Sequence, residues 1–170
     1  MSSDKTNYNS HLKLKKRRVQ PSVLRNKAND GEYSPSHAFD VTRLRSYDTG
    51  SVISRIKQGI QFDEIRHLQT ALNATLQEIS ILLGISPSTL SRRKKEGYLN
   101  TIESDRLVRF ARLRDKALEL MQGNNEAAVV WLRSPQKLLY GESALDLART
   151  EFGAHEVEDL IGRLKYGVFS

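Results

Sequence analysis

LGISPSTLSRRKKEGYL, residues 83–99, places a helix-start signal directly before four consecutive cations. The Ser86 hydroxyl can accept a hydrogen bond from a free backbone N–H of the first turn. Pro87 then occupies the first helical position, where its missing N–H costs nothing and its φ is already helical. Gly97 can end the helix. The stretch therefore predicts a helix from Ser86 to about Glu96.

This helix offers very little apolar surface. Leu90 is its only large apolar residue, and it stands at the spacing of a hydrophobic staple from Ile85. We therefore expect the helix to bury one narrow edge and to turn its hydroxyls and cations outward. The residues expected to face outward are Ser88, Thr89, Ser91, Arg92, Arg93 and Lys95.

The preceding segment, TLQEISILL at residues 75–83, predicts a shorter and more apolar helix. Thr75 and Glu78 have capping-box spacing, and the leucines and isoleucines form a helical stripe. Gly84 ends this helix, so only a tight turn separates it from the next one. A short buried helix, a glycine-containing turn and a polar, basic second helix form the helix-turn-helix pattern.

In a helix-turn-helix, side chains near the start of the second helix reach base edges, while lysines and arginines contact phosphates. The predicted DNA-binding residues are Ser86, Ser88, Thr89, Ser91, Arg92, Arg93, Lys94 and Lys95. Among them, base or near-base contacts are predicted for Ser88, Thr89, Arg92 and Arg93, and phosphate contacts for Lys94 and Lys95. The same residues also fit a solvated face in an ordinary helical bundle, so the motif alone leaves both interpretations open.

The composition excludes several classes of protein. The chain has 170 residues and a mass of 19.3 kDa, enough for one sizeable core or two small ones, and a mean hydropathy of −0.52. It has no cysteine, and hence no disulfide, thiol chemistry or cysteine metal site. No apolar run approaches the roughly 18 residues that span a bilayer, and no secretory signal opens the sequence. We expect a cytoplasmic protein without membrane contact.

Positive charge is concentrated in the first two thirds of the chain. The net charge of +7 divides into +5 over residues 1–50, +4 over 51–123 and −2 over 124–170. One end therefore suits nucleic acid and the other does not. Residues 1–48 lack sustained periodicity and predict a flexible basic tail. Its KLKKRR cluster (13–18) could add non-specific DNA affinity or simply keep the tail soluble.

Helical periodicity runs through the rest of the chain without strand alternation, and it predicts an all-α fold. Apolar stripes occupy residues 52–60 and 62–72. A long helix is predicted over about 101–122, opened by Asn100 and Glu103 with capping-box spacing. Its arginines are expected on a solvated face. They are Arg106, Arg109, Arg112 and Arg114.

The C-terminal third predicts three further helices. EAAVVWL (126–132) is apolar on nearly all sides, which predicts a buried helix. SALDLART (143–150) predicts a short capped helix. Gly153 is expected to interrupt the pattern, and a last helix is expected over about 154–166. The buried face of that helix is predicted to contain Val157, Leu160, Ile161 and Leu164.

The final residues of the chain are apolar and aromatic. Tyr166, Val168 and Phe169 stand at a terminus, where disorder is the default. On physical grounds this segment either packs against its own core or contacts a partner, and the residues alone leave both possibilities open.

No pattern indicates catalysis or a cofactor. His11, His37, His67 and His155 are scattered, without metal-ligand spacing. The glycines stand singly, so no phosphate-binding loop is formed, and no nucleophile motif is present. We therefore predict neither an enzyme nor a cofactor or metal site.

Two stretches together resemble a known family. Residues 83–113 are similar to the helix-turn-helix region of Xre/MbcA/ParS-type antitoxins, and residues 126–168 are similar to their C-terminal toxin-binding domain. The most specific elements are Glu103-Ser104-Asp105-Arg106-Leu107, Trp131-Leu132, Ser134-Pro135, Leu145-Asp146-Leu147, Thr150-Glu151 with Gly153, and Tyr166-Gly167-Val168. The chain departs from the common pattern at Tyr140-Gly141, where the family shows Gly-Gly, and at Ser143-Ala144, where it shows Thr-Pro. Both changes are compatible with a turn and a capped helix.

The resemblance implies a bacterial type II toxin–antitoxin pair. The partner would be a RES-domain toxin that consumes NAD⁺, and the C-terminal end of the antitoxin would obstruct its active site. The antitoxin would also bind its operator as a homodimer and repress transcription, within complexes of two toxins and four antitoxins. The chain would then divide into a flexible basic tail (1–48), a helix-turn-helix and dimerisation domain (49–123) and a toxin-binding domain (124–170).

The resemblance also implies which residues face the toxin. They are Tyr166, Gly167, Val168, Phe169 and Ser170, mounted on the last helix. Arg163 and Lys165 could pair with toxin carboxylates, although a solvated helix face explains them equally well. The alternative function is that of a stand-alone helix-turn-helix transcriptional regulator, whose C-terminal domain only dimerises or senses a ligand.

Overall fold

The computed structural model describes residues 39–167, and the fold is all-α, as predicted. In this range the strand-like pairings are two isolated bridges, Gln61 with Tyr98 and Pro135 with Ser143. The helices are α1 (Thr49–Gln58), α2 (Glu64–Leu72), α3 (Leu76–Leu83), α4 (Pro87–Glu96), α5 (Thr101–Leu120), α6 (Asn125–Arg133), α7 (Ala144–Leu147) and α8 (Glu151–Tyr166), with 3-10 turns at Val41–Ser46 and Lys137–Leu139. None of the helices between residues 39 and 167 combines the length and the apolar composition that crossing a membrane requires.

Helix α5 is the centre of the fold. Its 20 residues span about 30 Å, and it packs against α1, α2, α3, α6 and α8. Leu107, Phe110 and Leu113 on this helix are fully buried. One apolar core runs along α5, from Val41 in the first 3-10 turn to Ile161 on α8. Both ends of the described chain therefore rest on the same helix.

Two helices begin with the capping boxes that the sequence predicts. At α3, Thr75 Oγ1 accepts a hydrogen bond from the Glu78 N–H at 3.2 Å, and the Glu78 carboxylate accepts one from the Thr75 N–H at 2.7 Å. At α5, Asn100 Oδ1 accepts from the Glu103 N–H at 2.8 Å, and Glu103 Oε2 accepts from the Asn100 N–H at 2.9 Å. These bonds satisfy backbone donors that a helix start otherwise leaves free.

The start of α8 differs from the prediction. The helix begins at Glu151, capped by Thr150, whose Oγ1 accepts a hydrogen bond from the Gly153 N–H at 3.0 Å. Gly153 therefore lies in the first turn and does not interrupt the helix. The glycine is required because a Cβ at this position would lie 2.0 Å from the carbonyl oxygen of Leu147 at the end of α7. The predicted inner face of α8 is confirmed at Val157, Leu160 and Ile161, which are buried, and Leu164 packs against them.

Helix α6 is not buried on all sides, so that prediction is wrong. Ala128, Val129 and Leu132 are buried, but the side chain of Val130 lies on the open face and is 58% exposed. The helix packs against α2, α5 and α7, and these neighbours cover one side of it. The hydrophobicity of the segment indicated burial without showing that only one face has neighbours.

The folded part of the chain begins earlier than predicted. Phe39 and Val41 are buried in the core, and the Val41 N–H donates to Glu64 Oε2 at 2.7 Å. The guanidinium of Arg55 on α1 lies over the rings of Phe39 and Tyr47, a favourable cation–π arrangement. Residues 39–48 therefore do not belong to a flexible tail. The rest of the predicted tail, including the basic cluster at 13–18, lies outside the described residues.

The arginines of α5 do not form a solvated face. Arg106 Nη1 donates to the carbonyl oxygen of Leu83 at 2.8 Å. The side chain of Arg109 is 10% exposed, and that of Arg114 is 15% exposed. Arg112 is exposed but bonded to α8 through Glu158. The sequence pattern predicted that these arginines lie on a solvated face of α5. In the structure their side chains contact neighbouring elements instead.

Candidate nucleic-acid and partner interfaces

The turn between α3 and α4 is fixed from both sides. Gly84 ends α3 in the left-handed conformation (φ 63°), and the Ile85 N–H donates to the Ser80 carbonyl oxygen at 2.8 Å. The Arg106 guanidinium packs so closely that a Cβ on Gly84 would lie 2.9 Å from its Nη1. Ser86 Oγ then accepts from the Thr89 N–H at 3.2 Å, which begins α4 where the sequence predicts it.

Helix α4 presents most of its surface to solvent. No residue of Pro87–Glu96 is buried, and Leu90 is half-buried against the core beside the buried Ile85. The narrow buried edge is therefore as predicted. The Ser86 hydroxyl is hydrogen-bonded to the hydroxyls of Ser88 and Thr89, each at 3.0 Å. The exposed predicted DNA-binding residues are Ser86, Ser88, Ser91, Arg92, Lys94 and Lys95, and Thr89 is half-buried.

Arg93, besides the half-buried Thr89, departs from the outward-facing prediction. Its side chain is 15% exposed, and Nε donates to Glu103 Oε2 at 2.6 Å while Nη1 donates to Glu96 Oε2 at 2.6 Å. The hydrogen bonds that Arg93 donates to Glu103 and Glu96 raise the pKa of its guanidinium. The expectation that Arg93 faces outward is therefore wrong. Glu103 was recognised in the sequence only as a capping residue, because its partner lies on another helix.

The outer face of α8 carries exposed aromatic residues at its two ends. Phe152 is 76% exposed and Tyr166 is 73% exposed. Arg163 is also exposed, and Gly167 ends the helix in the left-handed conformation (φ 66°). Val168, Phe169 and Ser170, which belong to the predicted toxin-facing segment, lie outside the described residues.

Ion pairs hold α8 against α5. Glu158 accepts hydrogen bonds from Arg112 Nε at 2.8 Å and from Lys116 Nζ at 2.7 Å. Partial burial alone raises the pKa of Glu158, but the hydrogen bonds and charges of Lys116 and Arg112 outweigh it and lower this pKa. Arg109 pairs with Glu151 at the start of α8. The position of α8 is thus set by charged contacts as well as by its apolar face.

The end of α8 is also tied to α5. Lys165 and Arg45 both bind the carboxylate of Glu119, and their hydrogen bonds lower the pKa of Glu119 to about 2. The Lys165 ammonium also lies 5.2 Å from the centre of the Tyr166 ring. Lys165 therefore has partners within this chain, whereas the sequence left it as an open candidate for toxin contact.

One group of side chains has the residue types of a metal site. Ligand atoms of Asp40, Glu64 and His67 lie within 4.8 Å of one another. Glu64 Oε2 accepts the Val41 N–H at 2.7 Å and lies 3.0 Å from His67 Nδ1, and Asp40 Oδ1 accepts the Thr42 N–H at 2.8 Å. These bonds anchor the first 3-10 turn to α2 and explain the group as a structural contact.

Comparison with known proteins matches both halves of the chain to antitoxin domains. An Xre-like antitoxin helix-turn-helix domain matches residues 51–112, and the Xre/MbcA/ParS C-terminal toxin-binding domain of antitoxins matches residues 116–167. Antitoxin Xre of Yersinia enterocolitica is 38% identical over 120 residues, which cover 70% of this chain and 81% of that protein.

The chain belongs to the Xre antitoxin family. A second Antitoxin Xre, from Photorhabdus laumondii, is 34% identical over 94 residues, covering 55% of this chain and 64% of that protein. In this Xre antitoxin the two matched regions meet within α5, because the first ends at residue 112 and the second begins at residue 116. The central helix of the fold thus belongs to both.

Proposed function

We propose that this Xre antitoxin neutralises a RES-domain toxin that consumes NAD⁺ and represses its own operon through α4. The observation that carries the proposal is the succession, along one chain, of an antitoxin helix-turn-helix domain and an antitoxin toxin-binding domain. We divide the molecule at about residue 123, just after α5 ends. The two matched domains meet earlier, between residues 112 and 116, so α5 serves both halves. The protein acts by binding, and we assign it no catalytic step.

The DNA-binding half docks α4 in the major groove of the operator. Ser88, Thr89 and Arg92 are positioned near the start and middle of the exposed helix, where side chains reach base edges. Lys94 and Lys95 extend the same surface and bind phosphates. Ser86 and Ser91 lie beside these residues.

Two copies of the chain supply the paired recognition helices that an operator with two half-sites needs. Support for a homodimer comes from α1 (Thr49–Gln58), none of whose residues is buried within the described chain. Its Ile53 is 45% exposed and lines a groove of about 520 Å³ between α1 and α5, together with Val52 and Val108. We assign dimerisation to this face and expect complexes of two toxins with four antitoxins.

The toxin-binding half uses the end of α8. Tyr166 is exposed there, and Gly167 turns the chain into the segment Val168–Ser170, which we propose to obstruct the active-site cleft of the toxin. Arg163 is the better candidate for pairing with a toxin carboxylate, since Lys165 is already bound to Glu119. Helix α8 serves as a rigid mount because ion pairs and an apolar face hold it on α5.

The proposal is tested by purifying this protein with a RES-domain protein encoded beside it and measuring NAD⁺ consumption by that protein. We expect a stable complex in which NAD⁺ consumption is suppressed. A RES-domain neighbour that remains fully active in the presence of excess antitoxin would overturn the proposal. Operator binding without any toxin complex would instead identify a stand-alone transcriptional regulator.

A further inference from the structure

We infer that Arg93 and Glu103 form a latch that sets the angle at which α4 meets the operator, and that Arg93 is a positioning residue without a DNA contact of its own. This inference rests on the proposed DNA-binding role of α4. It replaces the sequence-based expectation that Arg93 reads bases.

One carboxylate oxygen joins the two helices. Glu103 Oε2 accepts from Arg93 Nε at 2.6 Å and from the Asn100 N–H at 2.9 Å. The first of these bonds reaches across to α4, and the second closes the capping box of α5. Because Glu103 is 6% exposed and the Arg93 side chain is 15% exposed, little water competes for these contacts. Charge-assisted hydrogen bonds in such an environment are stronger and more directional than exposed ones.

Helix α4 benefits from this bond because it makes few apolar contacts with the core. Leu90 is its only large apolar residue and is only half-buried. One half-buried side chain near the middle of a ten-residue helix gives α4 little apolar contact of its own. The cap at Ser86 fixes the N-terminal end, and the Phe62 N–H, which donates to the Gly97 carbonyl oxygen at 2.9 Å, holds the chain just after the C-terminal end. Between these two ends, the Arg93–Glu103 bond holds the side of α4 against α5.

The surroundings of Arg93 are unsuited to a DNA contact. Its guanidinium already binds two carboxylates, those of Glu103 and Glu96, so its charge is balanced within the chain and two of its five N–H donors are in use. The adjacent Arg92 provides a contrast within the same helix. Its side chain is 60% exposed, and its nearest carboxylate, Glu96, lies 3.9 Å away. Arg92 is therefore the arginine that can reach the operator.

The two roles of Arg93 predict opposite effects for Glu103→Gln. If Arg93 contacts DNA, removing the Glu103 charge frees the guanidinium, and operator affinity stays equal or rises. If Arg93 positions α4, the same change loosens the latch, and operator affinity falls. Glutamine at this position can still complete the capping box, so the start of α5 is preserved.

The experiment measures binding of the full-length protein to a duplex from upstream of its own gene and to an unrelated duplex of equal length. Arg93→Ala, Glu103→Gln and the double variant are each expected to reduce the ratio of specific to non-specific affinity about tenfold. The double variant is expected to be no worse than either single one. Arg92→Ala is the matched control. It is expected to reduce operator affinity, and its loss of binding free energy is expected to add to that of Glu103→Gln when the two changes are combined.

Thermal melting and toxin binding establish that each variant is folded. The latch would be overturned if Glu103→Gln left operator affinity unchanged or raised it. It would also be overturned if the affinity losses of Arg93→Ala and Glu103→Gln added in their double variant. Wild-type protein that shows no preference for the upstream duplex would instead overturn the DNA-binding role on which the latch rests.

Discussion

The backbone of Gly153 passes so close to the carbonyl oxygen of Leu147 that a Cβ on residue 153 would lie 2.0 Å from it. This approach brings the end of α7 against the first turn of α8, and it explains why a glycine occupies a helical position. We predict that Gly153→Ala lowers the free energy of unfolding by about 3 kcal/mol, since backbone atoms must move apart.

Gly162 on the same helix provides a matched control. A Cβ there would have no heavy atom within 4 Å, so Gly162→Ala is expected to stabilise the protein by about 0.5–1 kcal/mol. Urea unfolding followed by circular dichroism measures both values. Equal midpoints for the two variants would contradict the close approach of Leu147.

The contacts of Glu158 predict a loss of stability in acid. Its pKa in the folded protein lies below the ordinary value of 4.5, so the unfolded chain binds the proton more readily. The stabilisation is therefore complete above about pH 4.5 and is lost as the pH falls through the folded-state pKa. At pH 7, Glu158→Gln is expected to cost about 2 kcal/mol, as for a hydrogen bond to a charged group.

The measurement is the free energy of unfolding between about pH 3 and about pH 7, a range that includes the ordinary pKa of a glutamate carboxyl. Glu158→Gln is expected to reduce the loss of unfolding free energy at acid pH, the acid branch of the stability curve. Asp159→Asn, at an exposed neighbouring position on α8, is expected to leave this branch unchanged. An unchanged acid branch in Glu158→Gln would mean that Arg112 and Lys116 do not bind this carboxylate in solution.

The lysines of α4 are predicted to contribute the salt dependence of operator binding. Replacing Lys94 and Lys95 with Ala removes two proposed phosphate contacts, each of which contributes about −0.9 to the slope of log K against log salt. The slope of the double variant should therefore be less negative by about 1.8. Lys137→Ala, an exposed lysine in the acidic C-terminal third, should leave it unchanged. Equal slopes for wild type and double variant would exclude these lysines from the interface.

The end of α8 is predicted to decide neutralisation of the toxin. Tyr166→Ala, and separately a chain ending at Gly167, should each weaken inhibition of the toxin at least tenfold without changing operator affinity. Phe152 is as exposed as Tyr166 but lies about 21 Å away along the helix. The Phe152→Ala variant should therefore inhibit the toxin as well as the wild type does. Inhibition lost in Phe152→Ala and retained in Tyr166→Ala would move the toxin interface to the opposite end of α8.

The sequence predicted the helix caps and the apolar helix faces, but it did not predict contacts between residues that lie far apart in the chain. The caps at Ser86, Thr75 and Asn100 depend on residues three positions apart, so spacing alone predicts them. The apolar faces of α2 and α8 follow in the same way from helical periodicity. The succession of motifs then carried the family resemblance.

The features that the sequence did not predict depend on what a residue meets after folding. Arg93 and Arg109 have the composition of a solvated helix edge, yet both are largely covered and ion-paired. Phe39 and Val41 form too short an apolar stretch to show periodicity. Gly153 resembles a helix break until the position of Leu147 is known. In each case the deciding neighbour belongs to another element.

The most direct test of the proposed antitoxin function is co-expression with the adjacent open reading frame, followed by measurement of growth and cellular NAD⁺. We expect the product of this adjacent gene alone to arrest growth and deplete NAD⁺, and this protein to restore both. A product that remains toxic and continues to deplete NAD⁺ while this protein is present in excess would contradict the proposed neutralisation.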